Sequence, residues 1–503
     1  ESVPVMSHRV QLQGLSCGTV YRYVVEIRNQ AGKRVSNEQL FITASHPSST
    51  GEMRAYFIGS TESIPGINVP ALGNADIIDQ LVERIQSARY SIDMCFMKLD
   101  EWNVRDALIE AKQRGVKIRF ICDDEYFDRK EIQSLISAGI PVISDAFGSN
   151  EGTGRMHNKF AIFDHRDTTS FSDDWVWTGS FNLTYWGNTP PALENVVCVQ
   201  DQALAQVYTI EFEEMWGSSE DAPNGEFSRF GFRKQNNIPH LLTIGGRKVE
   251  VFMSPSDSPR QAIRRAFESA DQSIYFCMYS FTAHSLAEWL YARKNAISDL
   301  AIRGVLDAQQ TEEDGSKSEW PFLAQFADVW LDGEPNLLHH KYALIDAENP
   351  ESDPMVLTGS YNWSNSAEYE NDENLLLIHD PLLAGQFLQE FVARYHAAGG
   401  QAHWTWVKAE KEKWDSSFLA VYPNPFNSST SIVYSIPEKR SPTECIIFDL
   451  LGREVYRFES SQKEGIIFWD GRDQAHRFLP SGIYILKILG GEKRLSQKIV
   501  ILR

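Results

Sequence analysis

Met156-His157-Asn158-Lys159-Phe160-Ala161-Ile162-Phe163-Asp164 returns, 182 residues later, as Leu338-His339-His340-Lys341-Tyr342-Ala343-Leu344-Ile345-Asp346. Each copy sets a histidine two places before a lysine, passes through four apolar residues and ends on an aspartate. Side chains alternate along a strand, so the histidine and lysine of a copy share one side while the apolar run continues into the interior. The same spacing recurs upstream. Ser87, Ala88, Ser91, Ile92 and Cys95 find the same residue types 182 positions on, at Ser269, Ala270, Ser273, Ile274 and Cys277. The stretch 118–123 matches 302–307 at an offset of 184. Units this long are not solenoid repeats; two copies predict two equivalent halves about a pseudo-twofold axis.

Each half has one grammar. In the first, the pattern predicts a helix over 75–88, a strand over 90–96, a helix over 102–113 and a strand over 116–122, then a further helix and strand. Short apolar strands alternating with amphipathic helices argue for an α/β fold whose strands are buried on both faces. The halves are expected over 52–216 and 248–408, with a polar connector over 217–247. The stretch 46–51 reads as a linker, and the ends change character. Residues 1–45 alternate apolar and polar with the turn Gln30-Ala31-Gly32-Lys33, which is hairpin grammar. Residues 418–503 carry short strands and turn signals about every ten residues, as an all-β sandwich does.

The chemistry-bearing residues also come twice. Thr178-Gly179-Ser180-Phe181-Asn182 is echoed by Thr358-Gly359-Ser360-Tyr361-Asn362, and Glu194-Asn195 by Glu373-Asn374 at an offset of 179. A twofold arrangement would bring two imidazoles, two ammoniums and two amides to one seam. Lysines and asparagines supply donors for the non-bridging oxygens of a phosphodiester and for the extra charge of its pentacovalent transition state. Two histidines can divide nucleophilic and acid–base work.

Over residues 52–400 this H-x-K-x4-D and G-S-x-N pattern, present twice, resembles the phospholipase D superfamily. The resemblance implies two α/β halves sharing one site, and phosphodiester cleavage through a phosphohistidine without metal or other cofactor. Carried over, His157 and His339 are nucleophile and general acid, in the order the family usually assigns; the sequence itself does not choose. Lys159, Lys341, Asn182 and Asn362 would hold the phosphate, with Ser180 and Ser360 alongside. Glu194 and Glu373 are the candidates for orienting the imidazoles, while Asp164 and Asp346 would brace neighbouring backbone. The gap from Asp164 to Gly179 is longer than the compact pattern, and a hairpin insertion there could cover part of the cleft.

The flanks carry resemblances of their own. G-L-x-x-G-T-x-Y-x-Y followed by F-x-T resembles the second half of a fibronectin type III domain. Tyr422-Pro423-Asn424-Pro425-Phe426, Asp449-Leu450-Leu451-Gly452-Arg453, Trp469-Asp470-Gly471 and Pro480-Ser481-Gly482-Ile483-Tyr484 resemble, in order, the C-terminal sorting domain of the bacterial type IX secretion system. That implies the secretion machinery as a partner and a secreted or cell-surface protein. No signal peptide opens the sequence, which fits either its removal or a fragment. No stretch reaches the roughly 20 apolar residues of a membrane helix. The six cysteines are scattered, five of them within apolar strand-like runs, and fit buried free thiols.

Substrate choice is the open question. The wording around the motifs resembles the secreted bacterial nuclease branch. Trp175, Trp177, Phe181, Tyr185, Trp186, Tyr361, Trp363 and Tyr369 crowd them and could stack unpaired bases or pack against the sheet. Against a nucleic-acid partner stands the charge, −20 overall and −25 over residues 52–417, so Arg155, Lys159 and Lys341 would have to focus the field locally. Phospholipid remains the competing substrate, and a non-catalytic adhesin with a relict body is the third possibility. Zinc hydrolase, P-loop, nucleophile-elbow and dinucleotide patterns are absent. Asp123-Asp124 and Asp173-Asp174 read as acidic strand ends and turns.

Overall fold

A computed structural model of the chain describes residues 12–29, 32–67, 69–152, 154–187, 189–313, 317–405, 418–422, 430–435, 443–460, 464–469, 471–475, 477–490 and 493–501. The turn residues Gln30 and Ala31 and the stretch 423–429 fall outside them.

Each half builds one mixed sheet. In the first, the strands run in the order 53–57, 195–200, 175–179, 159–163, 91–96, 117–122, 142–144. Ser91–Phe96 is buried at every position, pairing parallel with Lys117–Cys122 and antiparallel with the histidine strand Lys159–Phe163. The second sheet repeats this as 247–254, 373–379, 355–359, 341–345, 273–278, 301–306, 328–331, with Leu241–Ile244 added at its edge. The parallel steps are crossed by helices such as Trp102–Gln113, as such steps require.

Outer helices cover one face of each sheet. Ile77–Ser87 is capped by Asp76, whose side chain accepts the Asp79 N–H, and buries Ile77, Leu81 and Ile85 on one stripe. Between the sheets lie two long helices, Gln202–Trp216 and Pro381–Ala397, buried on nearly every side in one core that spans both halves. Their buried charges are paired there, Glu211 with Lys234 and Glu390 with His340. The first ends at Gly217, where φ is +81° and a Cβ would stand 2.0 Å from the Asn224 carbonyl oxygen.

The motif aspartates close each histidine strand. Asp164 accepts the N–H groups of Arg89, Tyr90 and Ser91, and Asp346 those of Asp271, Gln272 and Ser273. Both sit at positive φ, a conformation aspartate tolerates. The end of the histidine strand is thereby locked to the start of the central strand.

Three sequence expectations are corrected. The linker is a docked strap: Ser49 and Gly51 are buried, Ser45 Oγ bonds Asp201 Oδ2 at 2.7 Å, and the Ser49 hydroxyl donates to the Phe171 carbonyl. The connector is no free polar segment, because Leu241–Ile244 joins the second sheet and Ile238 and Lys234 are buried. The insertion after Asp164 does not cover the cleft. It begins at the end of the strand away from His157, and Phe171 lies against His46 with ring centroids 5.0 Å apart.

At the N-terminus, Val20–Tyr23 pairs with Gln39–Ile42 and Glu26–Asn29 with Gly32–Val35, all antiparallel. At the C-terminus, three- and four-stranded sheets share a core of Ile432, Tyr434, Cys445, Ile447, Trp469, Leu486 and Ile499. Five cysteines are buried free thiols and Cys17 is exposed. Among the described residues no helix is long and apolar enough to cross a membrane.

Candidate active site

The two halves exchange backbone bonds beside the motifs. Met156 bridges Asp372 and Leu338 bridges Leu193, both parallel. The His157 N–H donates to the Asp372 carbonyl and the His339 N–H to the Leu193 carbonyl, each at 3.0 Å. Each histidine is therefore seated on the glutamate strand of the opposite half.

The side chains cross the same way. His157 Nδ1 lies 2.7 Å from Glu373 Oε2, and His339 Nδ1 lies 2.6 Å from Glu194 Oε1. A bond at Nδ1 leaves Nε2 as the ring nitrogen available for chemistry. Lys159 Nζ donates to the His157 carbonyl at 2.7 Å. Lys341 Nζ reaches the His339 carbonyl at 2.9 Å and His339 Nε2 at 3.1 Å.

The asparagines of the two Glu-Asn pairs lie beneath. Asn195 Nδ2 donates to Thr358 Oγ1 and Thr178 Oγ1 donates to Asn374 Oδ1, both at 2.7 Å. Asn374 Nδ2 reaches Asn158 Oδ1 at 3.1 Å, and His340, facing away from the cleft, bonds Asn195 and Glu390. Ser180 and Ser360 belong to this layer too. Their fully buried hydroxyls accept the N–H groups of Asn195 and Asn374, so their bonds serve the seam rather than the phosphate expected of them. Asn182 and Asn362 stand differently: the Oδ1 of each is buried without a hydrogen-bond partner.

Burial sets the electrostatics. It pushes His157 down to about 4, helped by Lys159 and opposed by Glu373. It holds His339 well below its ordinary value, with Lys341 next in effect. Lys159 falls to about 8 by burial, Lys341 falls well below its usual range, and Glu194 rises to about 8. Every shift favours the neutral form, because a closed site penalises charge that no substrate yet balances.

Other expected residues are placed elsewhere. Trp175, Trp177, Phe181, Tyr361 and Trp363 are core residues, whereas Tyr185 and Tyr369 are 59% and 62% exposed. Tyr185 lies on the loop from Asn182 to Glu194, and Tyr369 ends the short helix Asn365–Tyr369 between Asn362 and Glu373. Arg155, expected to focus the field, pairs with Glu125 at 3.2 Å. Among the described residues no three His, Cys, Asp or Glu side chains converge as a metal site would need.

Four contributors were missed in the sequence. Tyr279 lies against His339, ring centroids 4.7 Å apart, with Lys341 Nζ 5.0 Å from its ring centre. Its repeat partner is Met97, so the repeat carries no signal for it. Lys98 acts on Glu194 through charge. Asp145 and Asp307 accept the N–H groups of Met156 and Leu338, just before the histidines. Asp307 was visible as the repeat partner of Asp123, without a role.

This fold and site define a two-half protein of the phospholipase D superfamily. Residues 81–216 and 263–395, just over half the sequence, match the family described as "Cardiolipin synthase, PLD-like domain", and the chain belongs to it. Residues 420–502 match the secretion-system C-terminal sorting domain, which makes this a secreted or cell-surface bacterial protein. Mitochondrial cardiolipin hydrolase of Danio rerio is 28% identical over 145 residues, 28% of this chain and 58% of that protein's length. Phospholipase D of Rickettsia typhi is 27% identical over 165 residues, 32% of this chain and 73% of that protein. Among solved structures, phosphatidylserine synthase of Haemophilus influenzae covers 68% of this chain and 86% of its own (15% identity, TM-score 0.47). Nuc of Salmonella typhimurium, a phospholipase D family member, covers 32% and 99% (28% identity, TM-score 0.27).

Proposed function

We propose that the protein is a secreted nuclease that cleaves nucleic-acid phosphodiesters, single strands before duplexes, through a phosphohistidine intermediate. The observation that carries the chemistry is the reciprocal pairing of His157 with Glu373 and His339 with Glu194. Lys341 Nζ bonds His339 Nε2, whereas no group among the described residues bonds His157 Nε2. The uncommitted nitrogen is the nucleophile. His157 Nε2 attacks phosphorus and the bond to the leaving oxygen breaks. His339, which takes up a proton at Nε2 once the phosphate's negative charge enters beside it and Lys341 turns to that charge, delivers the proton that oxygen needs. A water then attacks the phosphohistidine, its proton passing to His339, and His157 departs unmodified. Lys159, Lys341, Asn182 and Asn362 hold the non-bridging oxygens, where charge grows most.

Exposed Tyr185, and the face of Tyr369 opposite the Arg260 guanidinium, support the choice of nucleic acid, since stacking on aromatic faces suits unpaired bases. The names of the relatives, phospholipase D and cardiolipin hydrolase, favour phospholipid as the second reading. Turnover on single-stranded DNA, duplex DNA, RNA and phosphatidylcholine vesicles, with and without EDTA, separates them. Single-stranded DNA should be cut fastest, undiminished by chelator. Choline release without oligonucleotide cleavage would replace the nuclease with a phospholipase. Activity lost in EDTA and restored by Mg²⁺ or Zn²⁺ would overturn the phosphohistidine route.

A further inference from the structure

The connector between the halves puts one lysine into the interior. Lys234 follows the short turn Gly231–Arg233, and its fully buried side chain lies 2.5 Å from Glu211 Oε1 and 3.1 Å from Asp372 Oδ1. Asp372 Oδ1 also accepts the Gly231 N–H at 2.9 Å. Asp372 is the residue whose carbonyl takes the His157 N–H, and the next residue, Glu373, takes His157 Nδ1. One dipeptide thus holds both the backbone and the ring of His157, and Lys234 fixes that dipeptide's first side chain.

The other half has no equivalent. At the 179-residue offset, Leu193 stands where Asp372 does, and its carbonyl takes the His339 N–H. Its side chain is apolar and packs in the shared core, while the connector occurs only once. Charge explains the difference. A buried carboxylate next to Glu373 would repel the charge Glu373 needs to hold an imidazolium, and the Lys234 ammonium offsets it. Burial raises Asp372, and Lys234 is the strongest influence drawing it back.

We propose that Lys234 is a positioning residue for His157, and that the connector is the element that makes the two histidines inequivalent. The inference rests on the phosphodiesterase reading only in taking His157 as catalytic. It is tested on the full chain with Lys234→Met and Asp372→Asn, the second leaving the Lys234–Glu211 pair intact should the first not fold. Two quantities are read: kcat and KM on an activated phosphodiester, and the downfield NMR protons of the His–Glu bonds, assigned with His157→Ala and His339→Ala. Each variant should lower kcat by roughly 10–100-fold with KM little changed, the effect expected of a group that orients a reacting one. The His157 proton should shift or broaden while that of His339 stays. Both protons moving alike would mean general loosening, and neither moving would mean no positioning; either overturns the proposal. Failure of the functional reading shows separately, as a wild-type protein that turns over no phosphodiester while the His157 proton still responds to both variants.

Discussion

On the proposed route, burial gives His157 its working protonation state, while His339 gains its proton only with the phosphate bound. With His157 down at about 4 and Lys159 at about 8, the free enzyme holds a neutral nucleophile and a charged phosphate ligand together between those values. Hence kcat/KM should rise as pH passes upward through about 4, because protonating His157 removes its lone pair. It should fall above about 8, because Lys159 then loses its proton; a pH–rate profile with no alkaline fall would remove the lysine from the account. Glu373→Gln should cost about 10²–10⁴-fold in kcat, since it unseats the imidazole of the nucleophile. His157→Ala and His339→Ala should each abolish turnover with the double variant little worse, as groups acting in one unit are non-additive. The identities of these residues were legible because a strand's period of two puts histidine and lysine on one side. Their pairing was not. Both glutamates repeat with both histidines, so spacing alone cannot say that Glu373 serves His157 rather than His339.

The Glu-Asn strands join the halves as well as orienting the rings. Asn374 is fully buried and ties Thr178 and Asn158 of the first half to its own strand. Asn374→Leu would take the Asn374 bonds from the buried Thr178 and Tyr208 hydroxyls and from the Asn158 amide oxygen, leaving the two hydroxyls only each other, at about 2–4 kcal/mol in all. Denaturant unfolding measures that loss, and an unchanged midpoint would mean that the asparagine layer contributes nothing to joining the halves. Elements with a strong period were readable: the strand expected over 90–96 is Ser91–Phe96, and the helix expected over 102–113 is Trp102–Gln113. Segments rich in Gly, Ser and Pro read as linkers and proved to be docked. Local composition shows that such a stretch forms no regular element, but it is silent on what the stretch touches. Ser49, buried against Phe171, is the case in point.

Over the whole molecule the acidic balance limits how a polyanion can bind. Of the three cations expected to draw phosphate, Arg155 is paired with Glu125, which leaves Lys159 and Lys341 at the seam. Each phosphate neutralised on a single strand contributes a log–log salt slope of about −0.7, so two give roughly −1.4. That is far shallower than a broad basic face produces, and it makes affinity modest while leaving catalysis strong. The lysines meet the greatest charge at the pentacovalent stage, so Lys341→Ala should lower kcat/KM more than it weakens binding of the ground state. His157→Ala, titrated with a labelled oligonucleotide at several salt concentrations, reads the slope without cleavage. A slope steeper than about −3 would require cations beyond the seam and move the nucleic-acid path elsewhere on the surface. No binding even at low salt, together with choline release from vesicles by the unaltered enzyme, would give the site to phospholipid.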